Sequence, residues 1–258
     1  MRGKSTVILI VTVILLATIA ALSAGYMAFK VRPIYDKNNQ CCEIPRFTNF
    51  FFTFKEAVGL VTFNSGVGQD RWIVYEVFRG VKNGYFVDVG SSDGVIASNT
   101  KVLEDLGWSG ICIDPFPKNM RSRTCRVFTE VVDSKAGRKV RFRKAGSLGG
   151  IEEYFGATKE YNEVKQAQVV EFTTTTLEDI LDRAKAPNFI HYISMDIEGA
   201  ELEALKAFPF FKYKVGAFTI EHNFEEPKRS KIKALLESQG YRRVRFVGAD
   251  DYYMLDQK

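Results

Sequence analysis

The sequence has few of the residues that build metal centres. Among its 258 residues there are four cysteines and two histidines. No cysteine lies in a CxxC or Cys/His spacing that is typical of a zinc site. The chain also contains no Asn-X-Ser/Thr acceptor site, no internal repeat and no low-complexity tract. These absences argue against a structural zinc domain and a repeat architecture, and they give no support to a lumenal location.

The residues that are present are sufficient for a buried core. Hydrophobic residues make up 46% of the chain and aromatic residues 13%, which argues against disorder. The length predicts one domain of about 200–230 residues with an appendage. The formal net charge of +5 is mild, and its basic residues are mostly scattered. We therefore expect solvated strand edges rather than a nucleic-acid surface.

Residues 6–29 form a long apolar run without a charged residue, preceded by a short basic N-terminus at residues 1–5. About 20 apolar residues span the hydrocarbon core of a bilayer, so the run predicts a single-pass N-terminal anchor and a membrane location. A signal peptide cleaved near Ala21-Leu22-Ser23 is the alternative. Because basic residues flank both ends, the side of the membrane stays open.

The remainder divides into a stem and an α/β domain. Residues 30–82 are predicted to form a membrane-proximal stem that ends in a helix over residues 70–80, with Gly80 as its stop. From residue 83 to residue 258, strand and helix signals alternate, which predicts a parallel sheet with crossover helices. The expected strands are Tyr85–Val89, Gly110–Ile113, Arg126–Val132, Phe189–Met195, Val215–Ile220 and an antiparallel closing pair, Tyr241–Val247 with Tyr252–Leu255.

The turn after the first strand reads VDVGSSDG at residues 87–94. A strand, a glycine turn and a helix make a nucleotide-sized crevice at the carboxyl ends of an open sheet. Gly90 lets the backbone approach a ligand closely, and Gly94 is expected to supply a turn conformation that a Cβ would disfavour. The turn carries acids, no P-loop lysine and no GxGxxG. It therefore favours a cationic or amino-bearing ligand, such as S-adenosylmethionine, over a pyrophosphate.

An acid also follows the second strand. Asp114 comes 20 residues after Gly94, at the place where an acid in an open α/β sheet accepts hydrogen bonds from ribose hydroxyls. The alternative is a turn-forming aspartate before Pro115. The later segment 145–168, which is weakly periodic and contains tyrosine and glycine, is predicted to cover the acceptor site.

Further polar residues end the fourth and fifth strands, which are expected to be neighbours. Asp196 interrupts an apolar run and is a candidate for holding the cofactor, binding a metal or orienting a hydroxyl. His222 is a candidate general base, because histidine titrates near neutral pH. Glu221 is a candidate for orienting His222 or for acting as the base. A less favoured alternative is Mg²⁺ held by Asp196 with Glu221 or Asn223.

Four segments together resemble the FkbM family of S-adenosylmethionine-dependent methyltransferases. They are VDVGSSDG with SNT after it, GWSGICIDPFP, SMDIEGAELEALK and TIEHN, and the similarity runs from about Asn83 to the C-terminus. The resemblance implies a Rossmann-like class I methyltransferase fold. That fold has a seven-stranded, mostly parallel sheet with helices on both faces. The family generally methylates hydroxyl groups on small molecules and glycans.

The resemblance also implies roles for individual residues. Asp114 would bind the ribose of the cofactor, and Asp196 would close the site. Asn99, in the SNT segment, is expected to cap the following helix or contact the cofactor carboxylate. The residues implied to line the methionine end of the cofactor are Asp88, Gly90, Ser91, Asp93 and Gly94.

The sequence therefore predicts a membrane-anchored, S-adenosylmethionine-dependent O-methyltransferase. Its expected acceptor is a hydroxyl of a glycan or another small molecule, and His222, Asp196 and Glu221 are the candidates for taking the proton. A catalytically silent, membrane-tethered adaptor or trafficking protein is the alternative. An NAD-dependent oxidoreductase fits less well, because the first turn lacks GxGxxG.

Overall fold

The computed structural model describes residues 61–155 and 162–256. The predicted anchor at residues 6–29, and the stem before residue 61, lie outside the described residues. Within the described part, no helix is long and apolar enough to cross a bilayer.

Strands and helices alternate over residues 85–113 and 169–247, as the sequence pattern predicts, whereas several short strands follow one another over residues 126–151. The helices are α1 (Gln69–Trp72), which continues into a π-helical turn (Ile73–Val77), α2 (Lys101–Asp105), α3 (Asn162–Gln166), α4 (Leu177–Ala184), α5 (Glu201–Lys206) and α6 (Lys228–Ser238). The strands are β1 (Tyr85–Val89), β2 (Ser109–Ile113), β3 (Arg126–Phe128), β4 (Val131–Val132), β5 (Lys139–Arg143), β6 (Gly150–Ile151), β7 (Val169–Thr175), β8 (Phe189–Met195), β9 (Lys214–Glu221), β10 (Tyr241–Val247) and β11 (Asp250–Leu255).

Seven strands form the main sheet, in the order β10-β11-β9-β8-β1-β2-β3. β11 pairs antiparallel with both of its neighbours, β9 and β10, and the other pairings in this sheet are parallel. The predicted mostly parallel sheet with an antiparallel closing pair is confirmed. Because β1, β2, β8 and β9 run in the same direction, the turns that follow them meet at one edge of the sheet.

The strands at the centre of the sheet are apolar because both of their faces are covered. Side chains alternate between the two faces of a strand. In β1, Val87 and Val89 pack in the layer that contains residues of α4, α5 and α6. Phe86 packs in the opposite layer with Trp72 and with residues of α2. Helices therefore lie on both faces, as expected. Val61 and Trp72 are buried in that second layer, so the described end of the stem packs on the domain.

A second sheet of four strands, in the order β4-β7-β5-β6, stands beside the main one. The expectation of one continuous strand from Arg126 to Val132 is wrong, because the chain leaves the main sheet after Phe128. β3 is an edge strand that pairs with β2, whereas Val131 and Val132 pair with β7 in the second sheet. Val131 is buried there against Phe142 and Ile151, which explains the break.

A disulfide joins Cys112, in β2, to Cys125, directly before β3, with 5.9 Å between the two Cα atoms. The two cysteines are 13 residues apart and form no recognisable motif. Their pairing follows from the parallel contact of β2 with β3, which a spacing rule does not reveal.

Candidate functional site

A cavity of about 530 Å³ opens at the carboxyl ends of β1, β2 and β8 and extends to the second sheet. Most of the predicted cofactor residues line it, namely Asp88, Gly90, Ser91, Asp93, Asn99, Asp114 and Asp196. Its lining does not include Gly94, Glu221 or His222. The predicted residues are therefore divided between the cavity wall and the layer behind it.

Gly90 fixes the close packing of the turn on the end of β8. Its φ is 88°, and a Cβ at this position would lie 1.7 Å from the main-chain oxygen of Asp196. The Gly90 and Ser91 amides both donate to the Ile113 oxygen, at 2.8 and 3.1 Å. Only glycine fits between these segments. Gly94 has a different role from the one predicted. Its backbone is not left-handed, and a Cβ there would lie 2.8 Å from Met120 Sδ.

Asp88 is the buried acid at the end of β1. Its Oδ2 accepts a hydrogen bond from Thr100 Oγ1 at 2.5 Å, and Arg123 Nη1 lies 3.9 Å from the same oxygen. Burial raises the pKa of the Asp88 carboxyl, and the positive charge of Arg123 opposes that rise. The neighbouring cation and hydroxyl thus favour the ionised form of Asp88 at the wall of the cavity.

Asp114 makes the predicted turn contact and also joins two turns of the cavity. Its Oδ1 accepts the Phe116 amide at 2.7 Å, which is the predicted turn contact. Its Oδ2 accepts the Ser92 amide at 2.9 Å and so ties the two cavity turns together. Burial raises the pKa of Asp114. A carboxylate offers about four acceptor positions, so two amides leave capacity for further donors from a ligand.

Asp93 and Asn99 shape the turn and its junction with α2. Asp93 Oδ1 accepts hydrogen bonds from the Ile96 and Val95 amides. These hydrogen bonds, of which that from Ile96 has the larger effect, hold the pKa of Asp93 below its usual value. Asn99 does not cap α2, so that expected role is wrong. Ser98 Oγ instead accepts the Lys101 amide at 3.1 Å, and Asn99 Nδ2 donates to Ser194 Oγ at 2.9 Å.

Three carboxylates converge at the ends of β8 and β9, two from residues that line the cavity and one, Glu221, from behind it. Asp196, Glu198 and Glu221 can each present one oxygen within 4.8 Å of the others. Burial, followed by the charge and hydrogen bond of Glu221, raises the pKa of Asp196 well above its usual value. The two carboxylates are close enough that the negative charge of Glu221 favours the protonated form of Asp196. Such a group can act as a base, and it is also the oxygen-rich set that a divalent cation prefers.

Asp250, opposite Glu221 in the pairing of β11 with β9, extends this acidic region. Burial, with the charge of Glu221 as a second cause, raises the pKa of Asp250 to about 7. Asn223 Nδ2 partly offsets the accumulated negative charge, because it donates to Glu221 Oε2 at 2.7 Å and to Glu198 Oε2 at 3.2 Å.

His222 points away from this cluster. Its Nδ1 accepts the Phe224 amide at 2.9 Å, and its Nε2 lies 3.7 Å from Asp251 Oδ1. The side chain is 1% exposed, and burial lowers its pKa. The ring is therefore neutral near pH 7, with its proton on Nε2. The structure thus brings Glu221 to Asp196, as predicted, and places His222 beside Asp251.

Three polar atoms on the cavity have no hydrogen-bond partner among the described residues. They are Ser91 Oγ, Asn99 Oδ1 and Asp196 Oδ1, and each is inaccessible to solvent. Buried polar atoms are normally paired, and all three residues line the cavity, so a ligand that supplies donors would satisfy these atoms. Together with Asp88 and Asp114, they suit a ligand that carries an ammonium group and hydroxyls.

The outer part of the cavity was only partly predicted. The segment 145–168 does contribute, through Gly146, Ser147, Gly149, Ile151 and Gln168. Sequence reasoning missed Val131, Phe142 and Lys144, which come from or adjoin the short strands of the second sheet. The alternation of apolar and polar residues in these segments indicated strands, but it did not indicate that the strands line the same cavity.

Comparison with known proteins identifies one family. The family model described as "Methyltransferase FkbM domain" matches residues 88–243, more than half of the chain. No curated protein sequence matches. Among solved structures, the chain is similar to precorrin-6y C5,15-methyltransferase from Geobacter metallireducens GS-15, with 11% identity and a TM-score of 0.38. That alignment covers 72% of this chain and 84% of the other.

Proposed function

The chain belongs to the FkbM methyltransferase family, and from this premise we propose that it transfers a methyl group from S-adenosylmethionine to a hydroxyl oxygen. The observation that carries the proposal is the cavity itself. Its wall contains the buried Asp88 and the half-buried Asp114, together with Ser91 and Asn99, whose Oγ and Oδ1 atoms have no partner among the described residues. These groups match the ammonium and ribose hydroxyls of the proposed cofactor.

For each part of the cofactor, the cavity offers residues of suitable chemistry. Asp88 and Asn99 would hold the amino-acid end, because a carboxylate and an amide oxygen both accept from an ammonium. Asp114 would accept from the ribose hydroxyls, since a charged acceptor makes strong directional hydrogen bonds. Phe116 and Val131 offer apolar surface for the adenine. When bound, S-adenosylmethionine supplies an electrophilic methyl group.

The carboxylate pair supplies the proton acceptor. A hydroxyl must lose its proton as its oxygen bonds to carbon, and a positioned carboxylate is a suitable general base. Asp196 lines the cavity, and its Oδ1 has no hydrogen-bond partner among the described residues. Asp196 therefore takes the proton in this proposal, and Glu221 shares it within the pair. The raised pKa of Asp196 makes it a stronger base than an ordinary aspartate.

The outer wall supports an acceptor that is rich in hydroxyls. Lys144, Ser147 and Gln168 line this part and provide both donors and acceptors. A glycan or another polyhydroxylated small molecule would match this mixture.

A membrane anchor at residues 6–29 remains part of the proposal, supported by the length and hydropathy of that run. The Cys112–Cys125 disulfide supports placing the domain on the oxidising side of the membrane, because structural disulfides persist in such compartments. A protease-protection experiment on sealed membranes tests this orientation. Resistance of the C-terminal domain until detergent is added would support it, and immediate digestion would contradict it.

Binding and transfer assays on the full chain in detergent test the function. We expect calorimetry to detect S-adenosylmethionine binding, and labelled methyl to enter an acceptor in an extract of the source organism. Asp114→Ala should weaken binding about 10–100-fold, as loss of a charged hydrogen-bond acceptor does. Asp105→Asn, on exposed α2 surface, is the control. Absence of binding would favour the alternative of a catalytically silent adaptor.

A further inference from the structure

Arg123 lies behind the cavity, in the segment between β2 and β3. Its side chain is 0% exposed, although arginine is rarely buried unless it is paired. It does not line the cavity, so it has no direct contact with a cofactor bound there. Arg123 can therefore influence the cavity only through the groups that accept its hydrogen bonds.

The guanidinium group binds the wall of the cavity at several points. Nη1 donates to the Gly94 oxygen at 2.8 Å and to Ser98 Oγ at 3.2 Å. Nη2 donates to Thr100 Oγ1 at 2.7 Å. These contacts extend from the glycine turn to the beginning of α2. A planar, rigid fork of donors makes arginine suited to fix such a segment, whereas lysine provides only a point charge.

One of these contacts continues to a cavity acid. The Thr100 hydroxyl accepts from Arg123 and donates its own proton to Asp88 Oδ2, at 2.5 Å. Arg123 is the cation that acts on Asp88, while Glu104, Asp114 and Tyr192 are the acidic groups around it. The Arg123–Thr100–Asp88 chain therefore both orients the Asp88 carboxylate and favours its ionised state.

Arg123 is itself held from two sides. Glu104 accepts from Arg123 Nε at 2.9 Å, and its carboxylate also accepts the Cys125 amide at 2.7 Å. The disulfide then fixes Cys125 to Cys112 in β2. The backbone two residues from Arg123 is thus tied to both the sheet and α2.

We propose that Arg123 is the positioning residue of the cofactor site, acting through Thr100 on Asp88 and through Gly94 on the turn, with the Cys112–Cys125 disulfide holding it in place. The inference rests on the proposed function, because Asp88 is assigned to the ammonium of S-adenosylmethionine. Loss of Arg123 from the Arg123–Thr100–Asp88 hydrogen-bond chain would leave the Asp88 carboxylate buried without a neighbouring cation. Asp88 would then hold its proton to higher pH and bind an ammonium weakly.

The test measures the dissociation constant of S-adenosylhomocysteine for the full chain in detergent between pH 6.5 and 8.5. This ligand shares the amino-acid end of the proposed cofactor, and its own titration cancels in the ratio of variant to wild type. We expect Arg123→Met to weaken binding about tenfold or more at pH 7, with the ratio falling as pH rises. Arg123→Lys should lie between Met and wild type. Arg121→Met, in the same turn but exposed, is the matched control.

Thr100→Val is the second variant, because it removes the link to Asp88 without removing the buried cation or much volume. It should show the same pH-dependent ratio even if Arg123→Met fails to fold. Ser replacement of Cys112 and Cys125 together should also weaken binding. The inference alone would be overturned if the wild type binds the ligand but the ratio of the variant and wild-type dissociation constants is near one. A ratio that does not change with pH would overturn it as well. No wild-type binding at any pH would overturn the proposed function and the inference with it.

Discussion

Gly90 lies directly against the main-chain carbonyl of Asp196, so that a Cβ on Gly90 would come within 1.7 Å of that oxygen. The Asp196 amide in turn donates to the Val89 oxygen at 2.9 Å. The turn proposed to hold the cofactor and the residue proposed to take the proton therefore form one packed unit. A displacement at Gly90 is expected to move Asp196.

Gly90→Ala should disrupt this unit. The left-handed backbone alone costs about 1–2 kcal/mol for a residue with a Cβ, and the contact with a main-chain oxygen adds about 1–3 kcal/mol. Gly107→Ala is the matched control, because Gly107 has a φ of 90° but no atom near its missing Cβ. Urea unfolding and S-adenosylmethionine binding of both variants separate backbone strain from steric overlap. Equal effects of the two substitutions would contradict the packing argument.

The carboxylate pair predicts a specific pH profile. Asp196 must be ionised to accept a proton, and its pKa is raised, so kcat should rise with pH through the apparent pKa of the pair. Glu221→Gln removes the neighbouring charge that raises the pKa of Asp196. The acid limb should therefore move to lower pH. Asp196→Asn should reduce kcat about 10²–10⁴-fold, as loss of a general base does.

Labelled-methyl transfer to the acceptor fraction, measured from pH 5 to 9, gives these profiles. The Kd for S-adenosylmethionine measured in parallel separates catalysis from cofactor binding, since Asp196 also lies on the cavity wall. A Glu221→Gln profile that superimposes on the wild-type profile would exclude the pair as the base.

Much of the fold was predictable because its signals are local. The strand Phe189–Met195 was predicted residue for residue, since an apolar run buried on both faces has clear ends. The direction in which a side chain points at the end of a strand depends on tertiary contacts. The contacts of such residues were therefore predicted less well. Glu221 and His222 are adjacent, yet one meets Asp196 and the other meets Asp251. Arg123 was not predicted at all, because its role depends on contacts with residues 19–29 positions away.

The proton-sharing role predicts that metal removal has no effect. Asp196, Glu198 and Glu221 are close enough to hold a divalent cation. In our proposal the Asp196–Glu221 pair instead accepts the proton of the acceptor hydroxyl, without a metal. Activity after exhaustive EDTA treatment should therefore equal that of untreated protein in the labelled-methyl assay. Loss of activity that added Mg²⁺ restores would show that the carboxylates are ligands.

His222 is predicted to contribute to stability rather than to turnover. Its ring accepts the Phe224 amide and does not line the cavity. His222→Ala should lower the free energy of unfolding by about 1–3 kcal/mol, because the Phe224 amide loses its hydrogen-bond partner. The value of kcat should stay within about threefold of wild type. A large loss of kcat at unchanged stability would instead restore His222 as a candidate base.

Asp250 predicts how stability depends on pH. Its pKa is raised to about 7 by burial and by Glu221, whereas an unfolded aspartate titrates near 3.8. Between these values the unfolded chain loses the proton that the folded protein keeps. Asp250 therefore favours folding below about pH 4, and this contribution is lost as pH rises through about 7. The slope from this one group is at most about 1.4 kcal/mol per pH unit.

Asp250→Asn removes the titration and keeps the shape and an acceptor for Gln69, which hydrogen-bonds Asp250 in the wild type. Urea unfolding at pH 5 and at pH 8 should show the variant gaining about 1–3 kcal/mol relative to wild type at the higher pH. The charge of Asp250 also helps to raise the pKa of Asp196, so the substitution lowers that pKa as well, which changes stability in the same direction. Asp256→Asn, at an exposed site paired with Arg242, should give no such change. Parallel pH curves for wild type and Asp250→Asn would show that Asp250 is already ionised in the folded protein at pH 5, and the raised pKa assigned to it would then be wrong.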